Sequence, residues 1–157
     1  MKKLIVFIVL AFMMTLCFGQ SSATEKMYAQ LKGSSGVSLL TFSKDMIDMI
    51  DLDIDHNADE KKVTGPLKEI RVAICKDSLD RSVIPRVNDF LTKSPFNLVD
   101  MDEDDGDLKV YVNRKGKTIQ ECHVAIPGDN ALILVSFFGD FRVEDVDNLR
   151  EAAVHFE

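Results

Sequence analysis

The sequence predicts an α+β domain: a largely antiparallel sheet, with a mixed sheet as the alternative, and helices packed mainly on one face. Two observations carry this. From Phe96 onward the apolar pattern has period two in successive runs, Asn97 to Met101, Leu108 to Asn113, Thr118 to Ile126 and Ala131 to Phe138. The strings DEDDGD, RKGK and PGDN join them as short turns, which makes an antiparallel meander. Upstream, strand-like runs alternate with stretches whose apolar residues recur every three or four positions.

Taken in order, Ser22 to Lys32 has helical character and stops at Gly33, within the turn GSSG. Val37 to Phe42 (VSLLTF) is apolar and partly β-branched, hence a strand, and Ser43 is placed to cap a following helix. Lys68 to Cys75 is a second strand introduced by Gly65-Pro66. Leu79, Val83, Val87, Phe90 and Leu91 then form one helical face, with Pro85 inside it predicting a kink or a fresh start. The run ALILVSFF is apolar at nearly every position and predicts a central, doubly covered strand. A last helix from Val143 to His155 would turn Val146, Leu149, Ala153 and Phe156 inward.

The N-terminal MKKLIVFIVLAFMMTLCFGQ pairs two lysines with an apolar run from Leu4 to Phe18, the pattern of a secretory signal peptide. Cys17 and Gly19 place cleavage between Gly19 and Gln20. The expected organisation is therefore a signal peptide over 1–19 and a single α+β domain over 20–157, periplasmic or otherwise secreted, with no stable membrane span after cleavage. A chain of 157 residues that loses 19 keeps 138, enough to bury a core without help from a metal or a disulfide. Loss of Lys2 and Lys3 takes the formal charge from −7 to −9. That balance repels phosphate backbones, so no nucleic acid is expected as partner.

DLDIDHNADE, from Asp51 to Glu60, invites comparison with a calcium loop. Counted from Asp51, Asp53 and Asp55 fall at the third and fifth positions, as such a loop requires. His56 then occupies the sixth position, which needs Gly, and Lys62 the twelfth, which needs an acid. Helical phase gives another account: Asp45, Asp48, Asp51 and Asp55 share one stripe, with Met46, Ile47, Ile50 and Ile54 opposite. Asp51, Asp53 and Asp55 are thus the metal candidates of this stretch, and the expectation is a solvated helix face ending in an acidic loop, without a metal. In DMDEDDGD, Gly106 at the sixth position would put Met101 and Val112 where ligands belong, so a hairpin turn explains it better.

For covalent chemistry the one pairing is Cys75 with His123, a thiol and a base that strand phase allows on exposed faces. No third group orients it. In EIRVAIC, Cys75 lies opposite the apolar face, whereas in IQECHVAI, Cys122 lies on it; two thiols without a disulfide are expected. His56 and His155 are isolated, no spacing suggests zinc, and nucleotide and hydrolase motifs are absent, so no cofactor and no catalytic residue is assigned.

GVSLLTFSKDMIDMI (Gly36 to Ile50), LKEIRVAICKD (Leu67 to Asp77) and the run from Leu108 to Phe141, following a signal-like segment, resemble the secreted domain-of-unknown-function family numbered 4252. The resemblance implies export and no established activity, offers no catalytic residues to carry over, and hints at envelope signalling. The expectation is a non-enzymatic, exported domain binding an envelope protein partner. The alternatives are a small-ligand or divalent-cation binder using the acids of 48–60 or 100–107, and a thiol-dependent enzyme using Cys75.

Overall fold

The computed structural model describes residues 22–50, 66–93, 95–99, 107–142, 145–154 and 156. The chain divides into two compact units, 1–30 and 31–157. Helix α1, Ala23–Lys32, runs across that division. Within the first unit the Ser22 hydroxyl accepts the Glu25 N–H at 3.2 Å, capping α1 as a serine outside a helix start should.

The second unit is built on a six-stranded sheet. Its elements in chain order are β1 (Val37–Ser43), α2 (Lys44–Ile50), β2 (Leu67–Lys76), α3 (Val83–Leu91), β3 (Asn97–Val99), β4 (Lys109–Lys115), β5 (Thr118–Gly128), β6 (Ala131–Arg142) and α4 (Val146–Val154). Spatial order is β1-β2-β6-β5-β4-β3, and every pairing is antiparallel. The mixed alternative is thereby overturned. The meander from β3 to β6 forms as the period-two pattern requires, and β6 sits between β2 and β5, where a strand apolar on both faces belongs.

Tight turns set the registers. Lys115 pairs with Thr118 across a two-residue loop whose Gly116 has φ 67°, a left-handed value that glycine adopts freely. Gly128 pairs with Ala131 across Asp129 and Asn130. Both hairpins carry their register inward until a β-bulge, one near Asn113 and one near Glu121, which shifts the far ends.

Alternation divides the sheet into two faces. On one, Ile70, Val72, Val110, Val112, Cys122, Val124, Val135 and Phe137 join Val146, Leu149 and Ala153 of α4, with Ile47 of α2 packed alongside. Phe42 and Phe156 meet there with ring centroids 6.0 Å apart. On the other face, Phe90 of α3 packs against Phe96 at 5.0 Å, and Phe96 stands over His123 of β5 at 4.9 Å. Helices therefore cover both faces rather than mainly one. The reason lies in the phase of β2, β5 and β6: their second faces carry Ala73, Cys75, Ala125, Leu132 and Leu134, all buried, and need a cover as much as the first face does.

Helix α3 begins at Val83, four residues later than the stripe from Leu79 suggested. That start puts Pro85 in the first turn, where its missing N–H leaves no bond unmade, so no kink is required. Leu79 is left outside the helix and 67% exposed. Asp80 organises the entry: its Oδ1 accepts the Ser82 N–H at 2.9 Å and the Ser82 hydroxyl at 2.6 Å, and its Oδ2 meets Arg86 Nη2 at 3.0 Å. Arg86 also donates to Ser34 Oγ at 3.1 Å, tying the turn before β1 to α3. Ser82's two donors hold the Asp80 carboxyl below its ordinary range.

Candidate functional site

Registers bring a row of side chains onto the α3 face, one from each strand: Thr41, Arg71, Ser136, His123, Tyr111 and Leu98. The next row, nearer the bulges, holds Glu69, Phe138, Glu121 and Asn113. These are the chemically loaded positions of the sheet. They sit mid-strand because β2, β5 and β6 spend their polar residues on this face while the opposite face stays apolar.

His123 and Ser136 are both fully buried. His123 Nδ1 lies 2.7 Å from Ser136 Oγ. Its other nitrogen, Nε2, stands 3.4 Å from Glu121 Oε2 but makes no hydrogen bond, the approach being off line. The Phe96 ring stands nearly perpendicular to the imidazole, at 83°, and Phe138 lies 6.2 Å away in the same T-shaped manner. Asn113 Nδ2 donates to Glu121 Oε1 at 3.4 Å. Alongside, Arg71 is ion-paired to Glu69 and sets its guanidinium 4.9 Å from the Phe138 centroid. That stacking suits a planar, weakly hydrated cation in partial burial.

Ser136, His123 and Glu121 are the residue types of a hydrolytic triad, yet the hydroxyl and the imidazole are sealed between the sheet and Phe96. A nucleophile must reach its substrate, and neither group has any exposed surface. As placed, the pair satisfies two buried polar groups and pins β5 against β6.

Cys75 shares this face but not this place. It is opposite Leu132, which is opposite Pro127, four residues along β5 from His123. At about 3.3 Å per residue and about 4.8 Å per strand, the two positions are roughly 16 Å apart. Both are buried, not exposed as their phases allowed. Burial pushes the Cys75 thiol up to about 11, against a smaller pull downward from Arg86. Cys122 is pushed up to about 12 by burial alone. The two cysteines occupy opposite faces and are free thiols, as their strand phases indicated.

Asp51, Asp53 and Asp55 lie outside the described residues, as do the acids from 100 to 106 and the segment before Ser22. Among the described residues no three His, Cys, Asp or Glu side chains converge as metal ligands, and no helix is long and apolar enough to cross a membrane.

Sequence reading named His123 but missed Ser136, Glu121 and Arg71 as its surroundings. A usable signal existed: a two-residue loop at Asp129-Asn130 makes paired positions sum to a constant, and that constant sets His123 opposite Ser136.

Fold and site define a small α+β domain on an antiparallel meander, with an imidazole–hydroxyl pair locked into its sheet. The model of the family described as Domain of unknown function (DUF4252) matches residues 24–149, and the chain belongs to that family. No curated protein and no solved structure matches it.

Proposed function

We propose that this chain is an exported, non-enzymatic domain of the periplasm or cell envelope that binds a protein partner in envelope signalling, using the β1 side of its sheet. One observation carries the reading: β1 is an outer strand whose seven residues, VSLLTFS, include no charge and no proline. Edge strands in soluble proteins are normally blunted by shortness, charge, proline or a bulge, because their free backbone groups recruit other chains. The opposite edge, β3, obeys this rule with three residues. Strand β1 does not, and its register against β2 runs unbroken from Val37 to Ser43.

Apolar side chains gather on the same strand–helix unit. Leu40 of β1 is 50% exposed, and Met46 and Met49 of α2 are 44% and 84% exposed. Methionine adapts its shape to a partner at little cost, which suits a binding surface. The sealed His123–Ser136 pair and the raised Cys75 thiol favour binding over catalysis. Export rests on the lysines and apolar run before Gln20.

The test is a photo-crosslinking amino acid at Met49 in producing cells, with Leu98, 59% exposed on the far edge, as control. The expected result is one discrete adduct with a different envelope protein, absent from the control. Equal labelling at both positions, or none at Met49, overturns the reading.

A further inference from the structure

We propose that the turn between β4 and β5, together with the end of β6, forms a basic tip that docks end-on against an anionic lipid surface. The site uses other strands than the β1 edge and does not depend on the role proposed there.

Strand pairing gathers the charge. Lys115 is opposite Thr118 and Thr118 is opposite Arg142, so the two cations flank Thr118 on the face that carries Tyr111 and His123. Two strand spacings, about 10 Å, separate their backbones. Arg114, opposite the buried Ile119, belongs to the other face, and Lys117 sits in the turn. All four are exposed, and among the described residues none of their side chains is in an ion pair. Acids at this end of the sheet are engaged elsewhere: Asp140 pairs with Lys68, and Asp145 accepts the Arg142 N–H at 2.7 Å. The turn stands clear of the domain, since a Cβ added at Gly116 would meet nothing within 4 Å.

The spread of these cations selects the occupant. Groups that converge hold one small anion, and a row along one face holds an extended acidic chain. Here the charges lie on both faces of the sheet and in the turn between them, so no one small anion reaches them all. A plane bearing many separate negative charges does. Charge on the rest of the molecule points the same way: without these four cations the formal charge of −7 falls to −11. A nucleic acid lying alongside that body is repelled by it. A plane met by the tip alone keeps the body beyond the screening length of about 8 Å at physiological ionic strength. Basic residues held at an anionic membrane surface contribute about a fivefold gain in affinity each, so a cluster of this size gives reversible, salt-sensitive attachment rather than insertion.

The test is co-sedimentation of the protein purified from producing cells with vesicles of phosphatidylcholine alone or mixed equally with phosphatidylglycerol. Binding is expected to the anionic vesicles at about 0.01 M salt and to weaken sharply at about 0.15 M, as the Debye length shrinks from about 30 Å to about 8 Å. A variant carrying Arg114→Gln, Lys115→Gln, Lys117→Gln and Arg142→Gln should stay in the supernatant. The charge-matched control with Lys32→Gln, Lys76→Gln, Arg81→Gln and Lys93→Gln should sediment like the wild type. Lys117→Gln alone, in a turn where no packing is lost, should weaken binding about fivefold and keeps the result independent of folding. Absence of binding to the anionic vesicles, or binding that neither salt nor the loss of the four basic residues changes, overturns the inference. A photo-crosslinker at Lys117 that captures an acidic protein while the vesicles stay bare overturns it in favour of a protein partner.

Discussion

His123 Nδ1 and Ser136 Oγ lie 2.7 Å apart on facing strands, and neither residue has any contact with solvent. The bond fixes the imidazole in one orientation and leaves Nε2 facing Glu121. A polar pair so placed specifies the sheet: sliding β5 past β6 by one residue would turn His123 into the apolar face, beside Val135 and Phe137 of β6, and would leave the buried Ser136 hydroxyl without it.

Ser136→Ala is therefore expected to destabilise the domain by about 1–3 kcal/mol, because it strands a buried ring nitrogen rather than simply deleting a bond. Adding His123→Phe to Ser136→Ala should recover part of that loss, since an apolar ring leaves nothing unsatisfied. Chemical denaturation of the wild type, both single variants and the double variant closes the cycle. Strict additivity would remove the pair from its role in holding the register.

Much of this arrangement was legible. Alternation in IQECHVAI and ALILVSFF separates Cys122 from His123 and assigns the meander. The runs VSLLTF and EIRVAIC mark β1 and β2. Legibility stopped where two elements had to be placed against each other. Burial of His123 depends on Phe96 arriving from the connection after α3, and no local pattern announces that. The second helical layer escaped notice because Ala73, Leu132 and Leu134 look alike in sequence whether a helix covers them or solvent does. Leu79 misled because its spacing fits the α3 stripe, yet the bonds from Asp80 to Ser82 start the helix after it.

Gly139 marks a close approach of a different kind. A Cβ there would lie 2.4 Å from the Pro66 carbonyl oxygen and 2.5 Å from Phe141 Cζ, one a backbone atom and the other a fully buried ring. Neither can yield without moving the sheet. Gly139→Ala should cost about 1–3 kcal/mol through overpacking. In a domain of this size that lowers Tm by roughly 2–4 °C for each kcal/mol. Gly128→Ala, whose Cβ would find only the Ala131 oxygen at 3.7 Å, should stay within about 0.5 kcal/mol of wild type. Equal melting temperatures for the two variants would contradict the geometry.

Calcium offers a direct check on Asp51, Asp53 and Asp55. A loop that closed around the ion at 100 times its Kd would stabilise the fold by about 2.7 kcal/mol. His56 and Lys62 occupy the bend and closing positions, so millimolar calcium is expected to leave Tm unchanged. A rise of several degrees, abolished by Asp53→Asn, would restore the ion-binding alternative.

Thiol chemistry ties pH to stability. Cys75 and Cys122 have ordinary values near 9.0 and are pushed up to about 11 and about 12 by burial. Unfolding exposes both, so above pH 9 the unfolded chain ionises thiols that the folded chain keeps protonated. The unfolded state then binds fewer protons than the folded one, and stability falls as pH rises. Their contribution is fully present below pH 9 and is lost progressively as pH climbs through 11 for Cys75 and 12 for Cys122. A Cys75→Ala, Cys122→Val variant should show a shallower decline over that window, whatever the lysines and tyrosines add to both curves. In the native protein at pH 7, alkylation of either cysteine should run far below the rate after denaturation, being gated by opening of the sheet. Fast native labelling of Cys75 would mean that the face beneath α3 opens readily, and it would return the thiol to consideration as a nucleophile.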